Sequence, residues 1–227
     1  MNVVVTRERG RNESLVSWMP EGATVREVPL TATRLYDEAS VAGELNDSPA
    51  GPFHSLVVTS VRAVPYVTVA RGALADGADI FSVGPSTTRA LRDCGVAVRA
   101  QAAGVAVDLA PVVSRGPVLV LGARVTRGEL ATELRARGIV AVAVACYETG
   151  ATAPDASGEQ ALRDADVVII GAPSAWAVAA PFVNAEAWVV VPGATTSAVV
   201  RSAHERVLEG WGPSLRERLS SLNTPPL

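Results

Sequence analysis

Short, wholly apolar segments alternate with amphipathic ones along most of the chain. Val3-Val4-Val5, Leu56-Val57-Val58, Val118-Leu119-Val120-Leu121, Val167-Val168-Ile169-Ile170 and Val189-Val190-Val191 have no polar face. That is the pattern of strands buried on both sides within a parallel sheet. Because helix-like patterns fill the gaps, the alternation reads as successive βαβ units of an α/β fold. Strands are predicted over 2–5, 24–28, 55–59, 79–83, 97–100, 118–121, 140–145, 167–170 and 188–191. Helices are predicted over 87–93, 126–137, 158–164, 195–208 and 213–222, with a frayed tail over 223–227. In the clearest helix Leu130 and Leu134 share one face, and Gly138 stands as its C-terminal stop.

One strand–turn–helix pattern occurs twice. Ile80-Phe81-Ser82-Val83-Gly84-Pro85-Ser86-Thr87-Thr88 and Trp188-Val189-Val190-Val191-Pro192-Gly193-Ala194-Thr195-Thr196 each run from an apolar strand through a Gly turn to a Thr-Thr helix start. Upstream of each lies another apolar strand that ends in small polar residues, at Thr59-Ser60 and at Gly171-Ala172-Pro173-Ser174. The chain therefore reads as two related α/β halves. Strand ends followed by helix starts are where open parallel sheets bind ligands, because free N–H groups and a positive dipole end face the crevice. Two such rims suit one large anion. The stretches 30–52 and 149–158 read as connectors, so that the chain leaves a first domain, builds the second and returns.

With 227 residues, 48% of them hydrophobic, the chain has ample core for two small domains. A formal charge of −3 argues against a nucleic-acid partner, since that affinity comes mainly from neutralising phosphates. All 20 basic residues are arginine, which excludes a Schiff-base lysine and a P-loop lysine. The 2 cysteines, Cys94 and Cys146, form neither a disulfide framework nor a metal site, and a reducing cytoplasm is the expected compartment. No basic leader precedes Val3, and no apolar run is long enough for a bilayer span, so neither secretion nor a membrane partner is expected.

Catalytic side chains are few. His54 and His204 read as surface residues, and no Gly-x-Ser-x-Gly elbow supports a hydrolytic triad. Neither Gly84-Pro85-Ser86-Thr87 nor Gly122-Ala123-Arg124-Val125 is a dinucleotide turn, and the acidic residues are scattered, so no cofactor or metal is expected. What remains at the strand ends is a set of anion-holding groups: Thr6-Arg7, Thr59-Ser60, Ser86-Thr87, Ser174 and Thr195-Thr196. Each alone has a plain reading as a helix cap worth about 1 kcal/mol. The repetition of the whole set at corresponding strand ends favours ligand binding. Tyr147, after the strand over 140–145, has two readings of equal standing: a packing wedge, or a hydroxyl offered to a ligand.

In order and spacing, Thr6-Arg7, Thr59-Ser60, Val83-Gly84-Pro85-Ser86-Thr87, the Leu134–Gly138 helix end leading to Tyr147, Ser174 and Pro192-Gly193-Ala194-Thr195-Thr196 resemble the uroporphyrinogen-III synthase family. The resemblance implies two flavodoxin-like (HemD-like) domains with parallel sheets, joined by a two-stranded connector. Domain 1 would be discontinuous, over 1–33 and 150–227, with domain 2 inserted over 34–149. It also implies a reaction without a cofactor, in which hydroxymethylbilane loses water, its terminal pyrrole is inverted and the ring closes as uroporphyrinogen III. Tyr147 would then assist departure of the hydroxyl. Arg7, Thr59, Ser60, Ser86, Thr87, Ser174, Gly193 and Thr195 would bind the substrate carboxylates, in a cytoplasmic monomer. The main alternative is a noncatalytic tetrapyrrole-binding or regulatory domain of the same fold. A two-domain sugar receptor is a further one, which the 4% aromatic content disfavours.

Overall fold

The computed structural model describes residues 1–125 and 128–222. In chain order its elements are β1 (Asn2–Val5), α1 (Glu13–Ser17), β2 (Thr24–Glu27), β3 (Thr31–Leu35), α2 (Glu38–Asn46), β4 (Phe53–Val58), α3 (Val67–Ala70), β5 (Leu74–Val83), α4 (Pro85–Asp93) and β6 (Ala100–Ala102). There follow β7 (Val118–Ala123), α5 (Glu129–Ala136), β8 (Ala141–Ala151), α6 (Ala156–Arg163), β9 (Val167–Ile169), α7 (Pro173–Ala179), β10 (Trp188–Val191), α8 (Ala194–Arg201), β11 (Val207–Glu209) and α9 (Leu215–Leu222). Two compact units result, one of Met1–Thr33 with Thr149–Leu227 and one of Arg34–Glu148. We call them unit 1 and unit 2.

Unit 1 holds a 5-stranded sheet in the order β11-β10-β9-β1-β2, with every pairing parallel. Numbered along the unit's own chain this is 2-1-3-4-5, the flavodoxin-like order. Unit 2 is built on a 6-stranded sheet, β3-β8-β7-β4-β5-β6. Its strands from β4 to β8 are parallel in the order 3-2-1-4-5, and β3 adds to the edge beside β8. The all-apolar strands are buried on both faces as their pattern requires. In unit 2, Leu56, Val58, Leu119 and Leu121 face the layer that holds Tyr66 and Leu91, while Val57, Val118 and Val120 face the layer that holds Leu109 and Leu134. Truncating one of these buried leucines to alanine costs about 2–5 kcal/mol.

Helix ends obey local rules. Gly138 (φ +75°) stops α5, with its N–H on Arg135 O at 2.9 Å and the Ile139 N–H on Leu134 O at 2.9 Å. Gly95 (φ +72°) closes α4 in the same way, through Arg92 O and Leu91 O.

Several expectations are corrected. The supposed connector over 30–52 contains β3 and α2, because Val41 and Leu45 bury one face of α2 and the Asp37 carboxylate caps its start on the Ser40 N–H. The helix predicted over 195–208 ends at Arg201, and Val207–Glu209 pairs with β10 as an edge strand. His204 is therefore not on a helix face. It is 8% exposed, with Nε2 2.8 Å from Ala187 O and its ring edge-on to Trp176. The strand predicted over 97–100 forms three residues later, as β6. The predicted start of α5 at 126 and the tail 223–227 lie outside the described residues. Among the described residues no helix is long and apolar enough to cross a membrane.

Candidate functional site

In an open parallel sheet, the connections on either side of the strand where the order reverses go to opposite faces and leave a crevice beyond the strand ends. Unit 1 reverses between β1 and β9, and unit 2 between β4 and β7. A threonine stands at each reversal. Thr6, just past β1, donates both its N–H (3.1 Å) and its Oγ1–H (2.8 Å) to Ile169 O at the end of β9. Thr59, just past β4, does the same to Leu121 O of β7, at 3.0 and 3.1 Å. Each doubled bond closes the last rung between the two strands and fixes the start of the following turn, at Arg7 or Ser60.

A glycine lies against each reversal. A Cβ on Gly122 would lie 2.4 Å from Thr59 Oγ1, and one on Gly171 would lie 3.2 Å from Arg7 Cγ. The Arg7 guanidinium carbon sits 5.3 Å from the centre of the Trp211 ring, a cation–π contact that fixes the direction of the side chain. Ser60 caps the 3-10 turn Val61–Tyr66 through the Arg62 N–H at 3.3 Å. At the unit 2 reversal there is a cavity of about 330 Å³, lined by Thr59, Val105, Val120, Leu130 and neighbouring residues.

The helix starts divide into exposed and structural positions. Ser86 is exposed at the start of α4, whereas Thr87 is 3% exposed and turned into the protein. Thr88 is tied down, its hydroxyl meeting Ser82 Oγ and Gln101 Oε1, both at 2.6 Å, and Gly84 O at 3.2 Å. Ser174 and Thr195 are exposed in the first turns of α7 and α8, and Gly193 is the residue before α8. Arg7, Ser174, Gly193 and Thr195 thus follow the C-terminal ends of three adjacent strands, β1, β9 and β10. Thr59, Ser60, Ser86 and Thr87 follow the adjacent strands β4 and β5. Tyr147, in β8, is 7% exposed among Val144, Cys146 and Leu121, with the Arg62 guanidinium 5.6 Å from its ring centre.

One polar group escaped the sequence reading. Tyr36 Oη donates to Glu148 Oε2 at 2.9 Å and accepts from Arg124 Nη1 at 3.4 Å, while Arg34 pairs with Glu148 Oε1 at 2.7 Å. The hydrogen bond from Arg34, followed by that from Tyr36, holds the Glu148 carboxyl below the ordinary carboxylate range. The Tyr36 hydrogen bond in turn raises Arg124. Arg124 follows β7 and Glu148 belongs to the later part of β8, so the group sits towards the same C-terminal end of the parallel strands as Thr59. Tyr36 and Glu148 are 112 positions apart in sequence, on stretches without periodicity, and only the β3–β8 pairing joins them. Among the described residues no three His, Cys, Asp or Glu side chains cluster as a metal site.

Paired α/β units, each with polar groups at the reversal of its sheet, define a protein of two open parallel-sheet units. The family model of uroporphyrinogen-III synthase HemD matches residues 20–208, and the chain belongs to that family. Among solved structures it is similar to uroporphyrinogen-III synthetase from Helicobacter pylori, at 17% identity and a TM-score of 0.64 over 98% of this chain and 99% of that one. It is also similar to a mutant uroporphyrinogen III synthase from the extremely thermophilic bacterium Thermus thermophilus, at 17% identity and a TM-score of 0.61 over 98% and 97% of the two chains. At these identities the likeness shows a shared fold of two predominantly parallel sheets. No curated protein sequence matches the chain significantly.

Proposed function

We propose that the chain is a uroporphyrinogen-III synthase, which converts the linear tetrapyrrole hydroxymethylbilane to uroporphyrinogen III with loss of water and inversion of the terminal ring. Membership of the family supports this reading, and the observation that carries it is the twinned threonine bridge at the two sheet reversals. The substrate's many carboxylates call for spread hydroxyls, amides and arginines rather than for one strong acid. Arg7, Ser174, Gly193 and Thr195 of unit 1, and Ser60, Ser86 and Thr87 of unit 2, are the proposed carboxylate-binding set, with Thr59, whose N–H and hydroxyl are both donated to Leu121 O, as the residue that positions Ser60 beside it. For the buried Thr87 the contribution is through its backbone. Charged hydrogen bonds of this kind contribute on the order of 1.5–3 kcal/mol each.

The chemistry suits such a site. The electron-rich pyrrole expels the hydroxymethyl hydroxyl and leaves an azafulvenium-like cation, which the unaided chain closes to the symmetric type I ring. The enzyme's task is to direct attack to the other carbon, by holding the terminal ring in one orientation. Positioning of that sort supplies of the order of several kcal/mol. Tyr147 is the proposed hydrogen-bond donor to the leaving hydroxyl, and the enzyme is proposed to act as a cytoplasmic monomer in tetrapyrrole biosynthesis, without a cofactor. The test supplies the purified chain with hydroxymethylbilane made in situ by its deaminase, oxidises the products and resolves the uroporphyrin I and III isomers. A shift to type III is expected. Type I alone, at the rate of the blank, would move the assignment to a noncatalytic tetrapyrrole-binding domain.

A further inference from the structure

Unit 2 carries two adjoining hollows of opposite character, one at the reversal of its sheet and one beside it against β8 and α2. The first, about 330 Å³, has apolar walls from Val105, Val120 and Leu130 beside the Thr59 hydroxyl. Val105 is 46% exposed at this hollow, an apolar side chain without full cover. The second, about 370 Å³, is lined by Tyr36, Arg124 and Glu44. Ala123 and Ala143 line both, so the two are neighbours. Each falls in the roughly 300–1,000 Å³ range of small-molecule sites.

The charges are not evenly matched between the two arginines. Arg34 has a carboxylate at 2.7 Å, that of Glu148. Arg124 has, among the described residues, one side-chain bond, and that is a long one of 3.4 Å to a neutral phenol. A guanidinium offers five donors in a fork that matches a carboxylate. The Glu148 and Glu44 carboxylates moderate the charge of Arg124, but neither occupies that fork. An apolar hollow next to an underused guanidinium fits a ligand that is itself an apolar ring with a short anionic arm.

We propose that the two hollows together seat one carboxylated pyrrole ring, the ring against Val105, Val120 and Leu130 and its acetate or propionate arm on Arg124. This rests on the synthase reading above and refines it, by adding Arg124 and an apolar ring seat to the carboxylate-binding set. Thr59 lines the apolar hollow, at the edge of the proposed ring seat. It also makes the 112-residue pairing of Tyr36 with Glu148 a positioning device, because the Tyr36 hydroxyl, fixed by Glu148, in turn orients Arg124.

The test is a fluorescence titration of the full chain with uroporphyrin III, an octacarboxylate of linked pyrroles, alongside the isomer assay. Arg124→Gln and Ala131→Phe, the latter filling the apolar hollow from α5, are each expected to weaken binding about tenfold or more, as loss of one charged contact or of the ring seat would. Arg99→Gln serves as control, since Arg99 pairs with Asp79 at the opposite end of the strands and should bind as the wild type does. Should Ala131→Phe fail to fold, Val105→Asp at the exposed wall replaces it, with the same expectation. Unchanged affinity in Arg124→Gln, or equal weakening in Arg99→Gln, overturns the seat. If the wild type makes only type I product, the synthase reading fails, and the titration still decides the seat by the same outcomes.

Discussion

The two units solve the same geometric problem with different amounts of freedom. Both close the reversal of a parallel sheet with a threonine that donates twice to one carbonyl, and both follow a neighbouring strand with a Gly turn into a Thr-Thr helix start. In unit 2 the turn is locked. Gly84 has φ +86° and ψ 156°, a conformation open in practice to glycine alone, and three hydroxyl or amide contacts pin Thr88 behind it. In unit 1 the corresponding Gly193 has φ 178°, extended backbone that any residue adopts, and nothing lies within 4 Å of where its Cβ would be. A motif that reads alike in sequence is thus a fixed structural joint in one unit and a plain strand-to-helix passage in the other. Unit 2 also carries an apolar hollow at its reversal and a tyrosine, Tyr147, in β8.

The sharpest way to test that asymmetry is Tyr147→Phe. Loss of a hydrogen-bond donor to the leaving group should lower kcat about 100-fold, with the melting temperature nearly unchanged. Full activity in this variant would leave Tyr147 with its packing role alone. Next come the paired glycine variants: Gly84→Ala should cost about 1–3 kcal/mol in urea unfolding, and Gly193→Ala less than about 0.5 kcal/mol. Equal costs would mean that the two turns are not different after all. At the reversals themselves, Gly122→Ala should destabilise by about 1–2 kcal/mol, because its Cβ meets the bonded Thr59 hydroxyl, while Gly171→Ala presses on the flexible Arg7 stem and meets Trp211 at ordinary contact distance, and should cost less.

The smallest effect concerns the thiols. Burial pushes the Cys146 thiol up to about 12, whereas Cys94 is exposed. The native chain should therefore release one equivalent of colour with a thiol reagent at neutral pH, and two after denaturation. The sign of the accompanying stability change follows from linkage. The folded state keeps Cys146 protonated where the unfolded state ionises, so its contribution is present below the ordinary thiol value and is lost as pH rises from there towards about 12.

What could be read from the sequence followed the strength of its patterning. Strands such as Val167–Ile169 and Trp188–Val191, apolar throughout, have no alternative but the middle of a sheet, and they form where expected. Thr31–Leu35 carries polar residues and lies at a sheet edge, where half its surroundings are solvent, so it resembles a linker. Val207–Glu209 follows a run of Arg and Glu that continues a helical pattern, and only pairing with β10 makes it a strand. His204 reads as a surface residue because its neighbours are charged, yet the turn after α8 carries it onto Trp176. The strand-end threonines are legible from the predicted strand ends, and Thr59 also from the repeat. Which of them bridge carbonyls is not, since Thr6 and Thr59 find their partners 163 and 62 residues away.

The most direct measurement of the central claim compares the uroporphyrin isomers formed by the wild type, Thr6→Val and Thr59→Val at subsaturating hydroxymethylbilane. Each substitution removes a hydroxyl at one reversal while leaving the backbone bond to the same carbonyl in place. The account predicts type III product from the wild type, and a smaller type III fraction with a raised KM from both variants. Type III fractions in both variants equal to that of the wild type, or type I alone from all three proteins, would contradict it.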